Sequence, residues 1–281
     1  MVMNRKAVLI NCSASKAHPV AKDLKWKEGM TLDNWKKLWR SQTELHLVSG
    51  LYSGYNFNQQ IKLCELFSTD CFVISAGAGL LNLSDKIPSY DSSFIGDNGP
   101  KVGEWNELPM GNLELLANAD EIILFCPPQY QLAIKSDIYF DQIKDRLVVG
   151  RNSPLSKDVG RVLPIPNRAS EILECSQTHL STKLLKLYLE EGVDGFEQLE
   201  KKVTLLPEKR TTRKVNDNEL IDVVRDFIHL GGITKIVRAI RDTTDIAASY
   251  ERIRNARNEI LTGMRGEDIL LHTKEVDYVK L

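Results

Sequence analysis

Two short segments hold the residue types that can bind and cleave a polar ligand. The first is Asn11-Cys12-Ser13-Ala14-Ser15-Lys16. It is small and polar and ends in a cation. Two serines and exposed backbone N–H groups suit a phosphate or a base edge, with Lys16 supplying charge. It lacks the glycines of a P-loop, which disfavours nucleoside triphosphates. An ordinary serine-capped turn would have the same composition. The second segment runs from Ser75-Ala76-Gly77-Ala78-Gly79-Leu80-Leu81 to Lys86-Ile87-Pro88-Ser89-Tyr90-Asp91. Small residues let backbone approach a ligand closely. A carboxylate beside an aromatic ring suits a sugar-and-base pocket: the ring stacks on the base, and the charge stabilises an oxocarbenium-like centre. A solvated loop aspartate is the competing reading of Asp91.

Two other segments are weaker candidates. Cys126-Pro127-Pro128-Gln129-Tyr130 offers Gln129 for a base edge, or is only a proline-rich turn. Gly150-Arg151-Asn152-Ser153-Pro154-Leu155-Ser156 is a polar turn around Asn152. No HExxH, GxSxG or zinc-deaminase pattern occurs. His18 and His179 stand alone and read as surface residues. Cys12, Cys64, Cys71, Cys126 and Cys175 form no CxxC pair, and their odd count argues against a disulfide framework. Cys71 and Cys126 lie in apolar runs and read as buried thiols. Neither a metal nor a cofactor is expected.

The elements that must position these segments are legible as patterns. Residues 7–10, 71–75, 121–126 and 146–149 are short apolar runs bounded by polar or turn residues, the pattern of buried strands. A fifth is expected at 161–165. Near-continuous apolar character implies a sheet covered on both faces, hence a largely parallel one. Helical patterns at 56–67, 113–119 and 131–142 alternate with the strands, which predicts a three-layer α/β fold. In such sheets ligands bind at the carboxyl ends of strands, where both candidate segments fall.

Residues 22–49 carry Trp26, Trp35 and Trp39 in a charged stretch. The last two are four apart and share a helical face. They predict an inserted helix that either packs on the domain or serves as a lid or nucleic-acid contact. Beyond residue 165 the pattern turns helical, at 168–173, 182–191, 218–230, 234–242 and 249–261, with a polar, basic linker at 201–214. Gly231-Gly232 reads as a helix stop, and short helices around it suggest a helix-turn-helix layout. The expected division is residues 1–170 as an α/β base-binding domain and 171–281 as a helical region.

The formal net charge is −1, so no global field draws the chain to nucleic acid. A local one is available: residues 201–265 carry five more Lys and Arg than Asp and Glu. Lys235, Arg238 and Arg241 fall near one helical face, suited to phosphate contacts; a solvated charged helix is the alternative. The N-terminal apolar run is too short for a signal peptide or a membrane span. It reads as the first strand of a cytoplasmic protein, with no membrane contact and no obligate protein partner expected.

INCSASK at 10–16, LYSG at 51–54, VISAGAGLL at 73–81 and KIPSYDSSF at 86–94 together resemble the YaaA-type peroxide-stress family. They resemble more closely a sister group of bacterial and phage proteins with CSxSK, LYxS, SAxxGLL and PYD motifs in this order. The chain departs from that group at Gly77-Ala78, where Lys-His is frequent, and in its longer tryptophan-bearing segment. TKIVRAIRD at 234–242 resembles a terminal helix of that group for which contact with DNA or RNA is implied. VVGRNSPLS at 148–156 is similar to a loop of uracil-DNA glycosylases, to which the superfamily is related in fold.

The resemblance implies a DNA glycosylase for modified phage bases, including glucosylated hydroxymethylcytosine. A non-catalytic DNA-binding stress protein and a base-exchanging tRNA or DNA transglycosylase are the alternatives. On the glycosylase reading Asp91, with Asn11 as the other choice, stabilises the sugar cation or orients water. Tyr52 or Tyr90 stacks on the base. Cys12, Ser13, Ser15, Ser75, Ala76, Gly77 and Asn152 line the pocket, and Lys16 holds a phosphate. Loss of base release in Asp91→Ala is the corresponding expectation.

Overall fold

A computed structural model describes residues 5–94, 98–207 and 213–263. The chain divides into two compact units, residues 1–206 and 207–281. The expected boundary at residue 170 is therefore corrected. The reason is the helical segment Leu180–Thr204, kinked at Gly192, whose Leu184, Leu185, Tyr188, Phe196 and Leu199 are buried in the core of the first unit. Amphipathic pattern shows that a helix has a buried face, not which core it covers.

The first unit is built on β1 (Lys6–Asn11), α1 (Leu32–Arg40), α2 (Tyr55–Leu66), β2 (Asp70–Ser75), β3 (Gly79–Asn82), β4 (Glu121–Leu124), α3 (Pro128–Lys135), β5 (Leu147–Gly150), β6 (Arg161–Leu163) and α4 (Leu180–Thr204). Its six-stranded sheet has the order β3-β2-β1-β4-β5-β6. All neighbours are parallel except the β2–β3 pair at the edge. The fold is thus mixed α/β with a mainly parallel sheet. The four expected strands and the fifth are present within a residue or two. The antiparallel edge strand was not expected: Ser75 pairs with Gly79 and Val73 with Leu81, so the second candidate segment turns back on itself as a hairpin.

β1 lies in the middle of the sheet, and Ala7 to Ile10 are all buried. Such a strand tolerates no polar residue until its end, which is where Asn11 stands. The chain leaving β1 runs toward β2, whereas β4 and β5 continue the sheet the other way. Segments leaving the carboxyl ends of β1 and β4 therefore diverge and leave a crevice between them.

The tryptophan segment is core. Helix α1 starts at Thr31, whose side chain accepts from the Asn34 N–H at 3.3 Å. It ends with Lys37 and Arg40, favourable at a helix C-terminus. Trp35 and Trp39 are buried, with ring centroids 6.1 Å apart, and Trp26 lies 5.4 Å from Trp35. Of the two expectations for this helix, packing on the domain is the one the burial supports.

The second unit comprises α5 (Asp217–Asp226), α6 (Ile233–Thr243) and α7 (Tyr250–Gly263) around Leu220, Val224, Ile236, Val237, Ile240, Ile253 and Ile260. Asn216 caps α5, accepting from the Glu219 N–H at 2.9 Å. Residues 208–212 of the expected linker, and Arg265, lie outside the described residues. No helix among the described residues is long and apolar enough to cross a membrane.

Candidate functional site

A cavity of about 730 Å³ opens at the crevice between β1 and β4. Its walls come from four strand exits and two helix starts. Asn11, Cys12, Ser13 and Ala14 follow β1; residues 124–128 and Gln131 follow β4; Gly150, Asn152 and Ser153 follow β5; Ile165 follows β6. The start of α2 adds Gly54, Tyr55, Asn56, Phe57 and Gln60, and the segment entering α4 adds residues 177–181 and Leu184. No Asp, Glu, Lys or Arg lines it among the described residues. The polar lining consists of amides, hydroxyls, the Cys12 and Cys126 thiols and the His179 imidazole.

Local sequence explains how these walls meet. β4 stops at Leu124, level with Leu9, two residues short of the end of β1. The turn 125–128 therefore lies beside Asn11 and Cys12, and the Cys126 thiol donates to the Leu9 carbonyl at 3.3 Å. Burial pushes that thiol's pKa up, so it stays protonated. Pro127 and Pro128 then open α3, Pro128 standing at a position that needs no N–H. Gln131, in the first turn of α3, is thereby aimed at the crevice. Its Nε2 donates to the Cys126 carbonyl at 2.5 Å, and Ser153 donates to its Oε1. Those two bonds determine which end of the amide is which. On the opposite wall, a Cβ on Gly54 would collide with the Ser13 hydroxyl, so glycine there lets the first loop close on the start of α2.

Asn11 donates from Nδ2 to the Cys12 carbonyl at 3.0 Å. Asn11 lines the cavity, and its Oδ1 accepts from no described residue. Asn56 donates to the Thr178 carbonyl at 2.6 Å, and its buried Oδ1 has no partner. Cys12 is buried, with Sγ 3.5 Å from the Tyr130 hydroxyl.

Of the residues expected at the site, Asn11, Cys12, Ser13 and Asn152 come together on this cavity. Ser75, Ala76, Gly77, Tyr52 and Tyr90 do not; they form a buried network beside it. The Tyr52 and Tyr90 rings are 1% and 0% exposed, which removes both as stacking platforms. Their hydroxyls are 2.7 Å apart, and Tyr90 also bonds Ser75 Oγ. Ser75 Oγ accepts from the N–H groups of Gly77 at 3.2 Å and Ala78 at 2.9 Å. The Gly77 carbonyl accepts from Trp35 Nε1 at 2.7 Å. Every polar group of Gly77 is thus used internally. What approaches this glycine is the Tyr90 ring, 2.6 Å from where a Cβ would stand, and not a ligand. Burial raises the pKa of both phenols, so they remain neutral.

The remaining candidates lie at the same end of the sheet but off the cavity. The Lys16 segment bridges to Tyr52, and the Ser53 N–H bonds the Ser15 carbonyl at 3.0 Å. Ser15 is exposed. Lys16 Nζ lies 4.7 Å from the Tyr90 ring centroid, a cation–π contact, and burial lowers its pKa. Asp91 pairs with Lys25 at 3.0 Å, and the two side chains are 50% and 64% exposed. Asp91 is therefore a surface ion pair and not a cavity carboxylate.

Sequence reasoning missed Gln131, Asn56 and Phe57; His179, read as a surface residue, is exposed and also stands on the cavity wall. Gln131 had a signal: it stands in the first turn of a helix opened by Pro-Pro after a buried strand. Gln129 was the residue singled out there, but it is exposed and does not line the cavity. Asn56, Phe57 and His179 sit on helix starts whose distance from β1 is set only by packing.

The buried network yields one expected result. Ser75→Ala orphans the Gly77 and Ala78 N–H groups and removes one of the two partners of the Tyr90 hydroxyl, and should cost about 1–3 kcal/mol. Urea unfolding followed by tryptophan fluorescence measures it; all four tryptophans are in the first unit.

In the second unit, Lys235, Arg238 and Arg241 are exposed on α6, opposite its buried Ile236, Val237 and Ile240. No ion pair joins them to another described residue. The arginines of α7 differ: Arg252 binds Asp217, Arg254 binds Glu251, and Arg257 donates to the Gly231 carbonyl at 2.9 Å.

No protein-family model matches the chain, and no match is found among the curated proteins or the solved structures compared with it.

Proposed function

We propose that the chain is a metal-independent DNA glycosylase that releases a modified base from phage DNA and leaves an abasic site, acting in the cytoplasm. The observation that carries this reading is the uncharged, amide-lined cavity at the divergence of β1 and β4. An uncharged lining disfavours phosphates and carboxylates, whose desolvation would go uncompensated. A neutral heterocycle suits it. Side-chain amides present the adjacent donor and acceptor that base edges require, and Gln131 is held in one orientation to do so. Tyr55, an exposed ring on the wall, supplies surface for stacking. The volume lies well within the ~300–1,000 Å³ range of small-molecule sites and leaves room beside a base for a substituent.

The target nucleotide is flipped out of the duplex at a cost of a few kcal/mol. Its base enters the cavity, and Asn11 Oδ1 orients the attacking water. Asp91 has no part in this step, because its charge lies off the cavity and is paired with Lys25. The relationship to a three-layer, uracil-DNA-glycosylase-like architecture is part of the same proposal.

The test is a panel of DNAs: unmodified, hydroxymethylated at cytosine, and glucosylated at that hydroxymethyl group. Released base is identified by mass spectrometry, and abasic sites by alkaline cleavage. A glycosylase releases base and leaves alkali-labile sites. A DNA-binding module shifts DNA without leaving any, and a transglycosylase incorporates labelled free base.

The α6 stripe is proposed to contact phosphates. Replacing Lys235, Arg238 and Arg241 together by Glu should weaken DNA binding and reduce the slope of log K against log salt by about 2–3. Fluorescence anisotropy across a salt series measures this; an unchanged slope would assign the stripe to solvation.

A further inference from the structure

We propose that His179 is the general base of this reaction, an assignment that rests on the glycosylase reading above. Hydrolysis of an N-glycosidic bond needs a group to take a proton from water, and the cavity wall offers few. Its titratable side chains are Cys12, Cys126, Tyr55 and His179; no Asp, Glu, Lys or Arg lines it among the described residues. The Cys126 thiol is held protonated by burial and donates to the Leu9 carbonyl. Cys12 is buried against the Tyr130 hydroxyl. Imidazole is the side chain that exchanges protons most readily near neutral pH.

Position supports the same choice. Gln131 and Ser153 are buried, whereas His179 is exposed. A base that enters from a flipped nucleotide leaves its sugar at the mouth. Tyr55, Asn152, Gln177 and Thr178 are exposed on the wall as well, and among these His179 is the one whose side chain is an imidazole, so it is the general base placed to face C1′. His179 is also held in place. Its ring lies 5.3 Å from the ring of Tyr55, the titratable group of α2 packed against it. The carbonyl of Thr178 is bound by Asn56 at 2.6 Å, and Gln177 donates to Ser170 at 2.8 Å. Thr178 and His179 are thus anchored to the start of α2, and Gln177 to Ser170.

In the step, the water oxygen bonds to C1′ as the C1′–N bond breaks. The electron pair of that bond goes to the departing base. His179 takes the proton from water and passes it to the base nitrogen. The products are an abasic sugar and a neutral free base, and nothing is oxidised or reduced.

The experiment uses the full chain and the DNA of the panel that releases most base. Single-turnover release is followed from about pH 5 to pH 8, the window in which imidazole titrates. His179→Gln should slow release about 100-fold or more and flatten the pH profile. His179→Gly should lose the same activity and regain part of it on addition of imidazole, which an exposed site admits. DNA affinity and melting temperature should be unchanged in both. Release by His179→Gln near the native rate with a native pH profile would overturn the assignment and leave the glycosylase reading standing. A loss in His179→Gly that imidazole does not restore would assign the residue to structure and also overturn it. Absence of base release from every DNA by the native protein would overturn both.

Discussion

Asn11→Ala should lower the rate of base release about 100- to 1000-fold, the loss expected when one preorganised polar group is removed from a reacting centre. DNA affinity should hold, because Asn11 sits in the cavity of the first unit and the proposed phosphate contacts do not involve it. The fold should hold too. The Asn11 side chain makes one bond, to the Cys12 carbonyl, and losing it costs about 0.5–1.5 kcal/mol. Single-turnover kinetics, anisotropy and a thermal melt separate these effects. The companion variant is Asp91→Ala. Its exposed ion pair with Lys25 is worth no more than about 1 kcal/mol, and release should stay within about threefold of native, far from the loss expected of a general acid–base group. Motif order alone favours Asp91, and the cavity favours Asn11. Inactive Asp91→Ala with active Asn11→Ala would return the chemistry to the Tyr90-Asp91 turn.

Trp35→Ala should destabilise the first unit by about 3–5 kcal/mol, the range for truncating a large buried aromatic. Trp35 is 0% exposed and lies against Trp26, Trp39 and, edge-on at 6.2 Å, Tyr90. It also donates to the Gly77 carbonyl, which the substitution leaves buried and unbonded. A loss of that size is a large share of the ~5–15 kcal/mol that holds a domain folded. Trp35→Phe keeps most of the ring burial and loses the indole donor, so its cost should be clearly smaller. Urea midpoints of the two variants, followed by the remaining tryptophans, measure the difference. A loss under about 1 kcal/mol in Trp35→Ala would mean that α1 is a loosely held appendage.

The two results bear on one question: what the second strand exit is for. Residues 75–91 look like a ligand loop because they are small and carry a tyrosine and an aspartate. In the folded chain the small residues admit Tyr90, the serine bonds it, and Trp35 covers it. The segment is a support for the first loop and not a second wall of the cavity. The Lys16 contact with the Tyr90 ring is the point at which support and loop meet.

The strands, most helices and the tryptophan face were readable from residue order because each depends on spacing of two to four residues. A strand covered on both faces must be apolar throughout, so Ala7 to Ile10 and Ile122 to Leu124 announce themselves. Asn11 is legible for the same reason, as the first polar side chain after such a run. The hairpin at Gly79–Asn82 was not, since two leucines between a glycine and an asparagine just after a strand read equally as its exit.

Strand order was beyond reach of any local pattern. That β1 lies between β2 and β4, and not beside β5, follows from packing across more than a hundred residues. This placement decides that Asn11 shares a cavity with Gln131, Asn152 and His179, while Asp91 falls outside it. Side-chain chemistry is written in the chain residue by residue; which of those side chains face one another is a property of long-range contacts, and only folding supplies them.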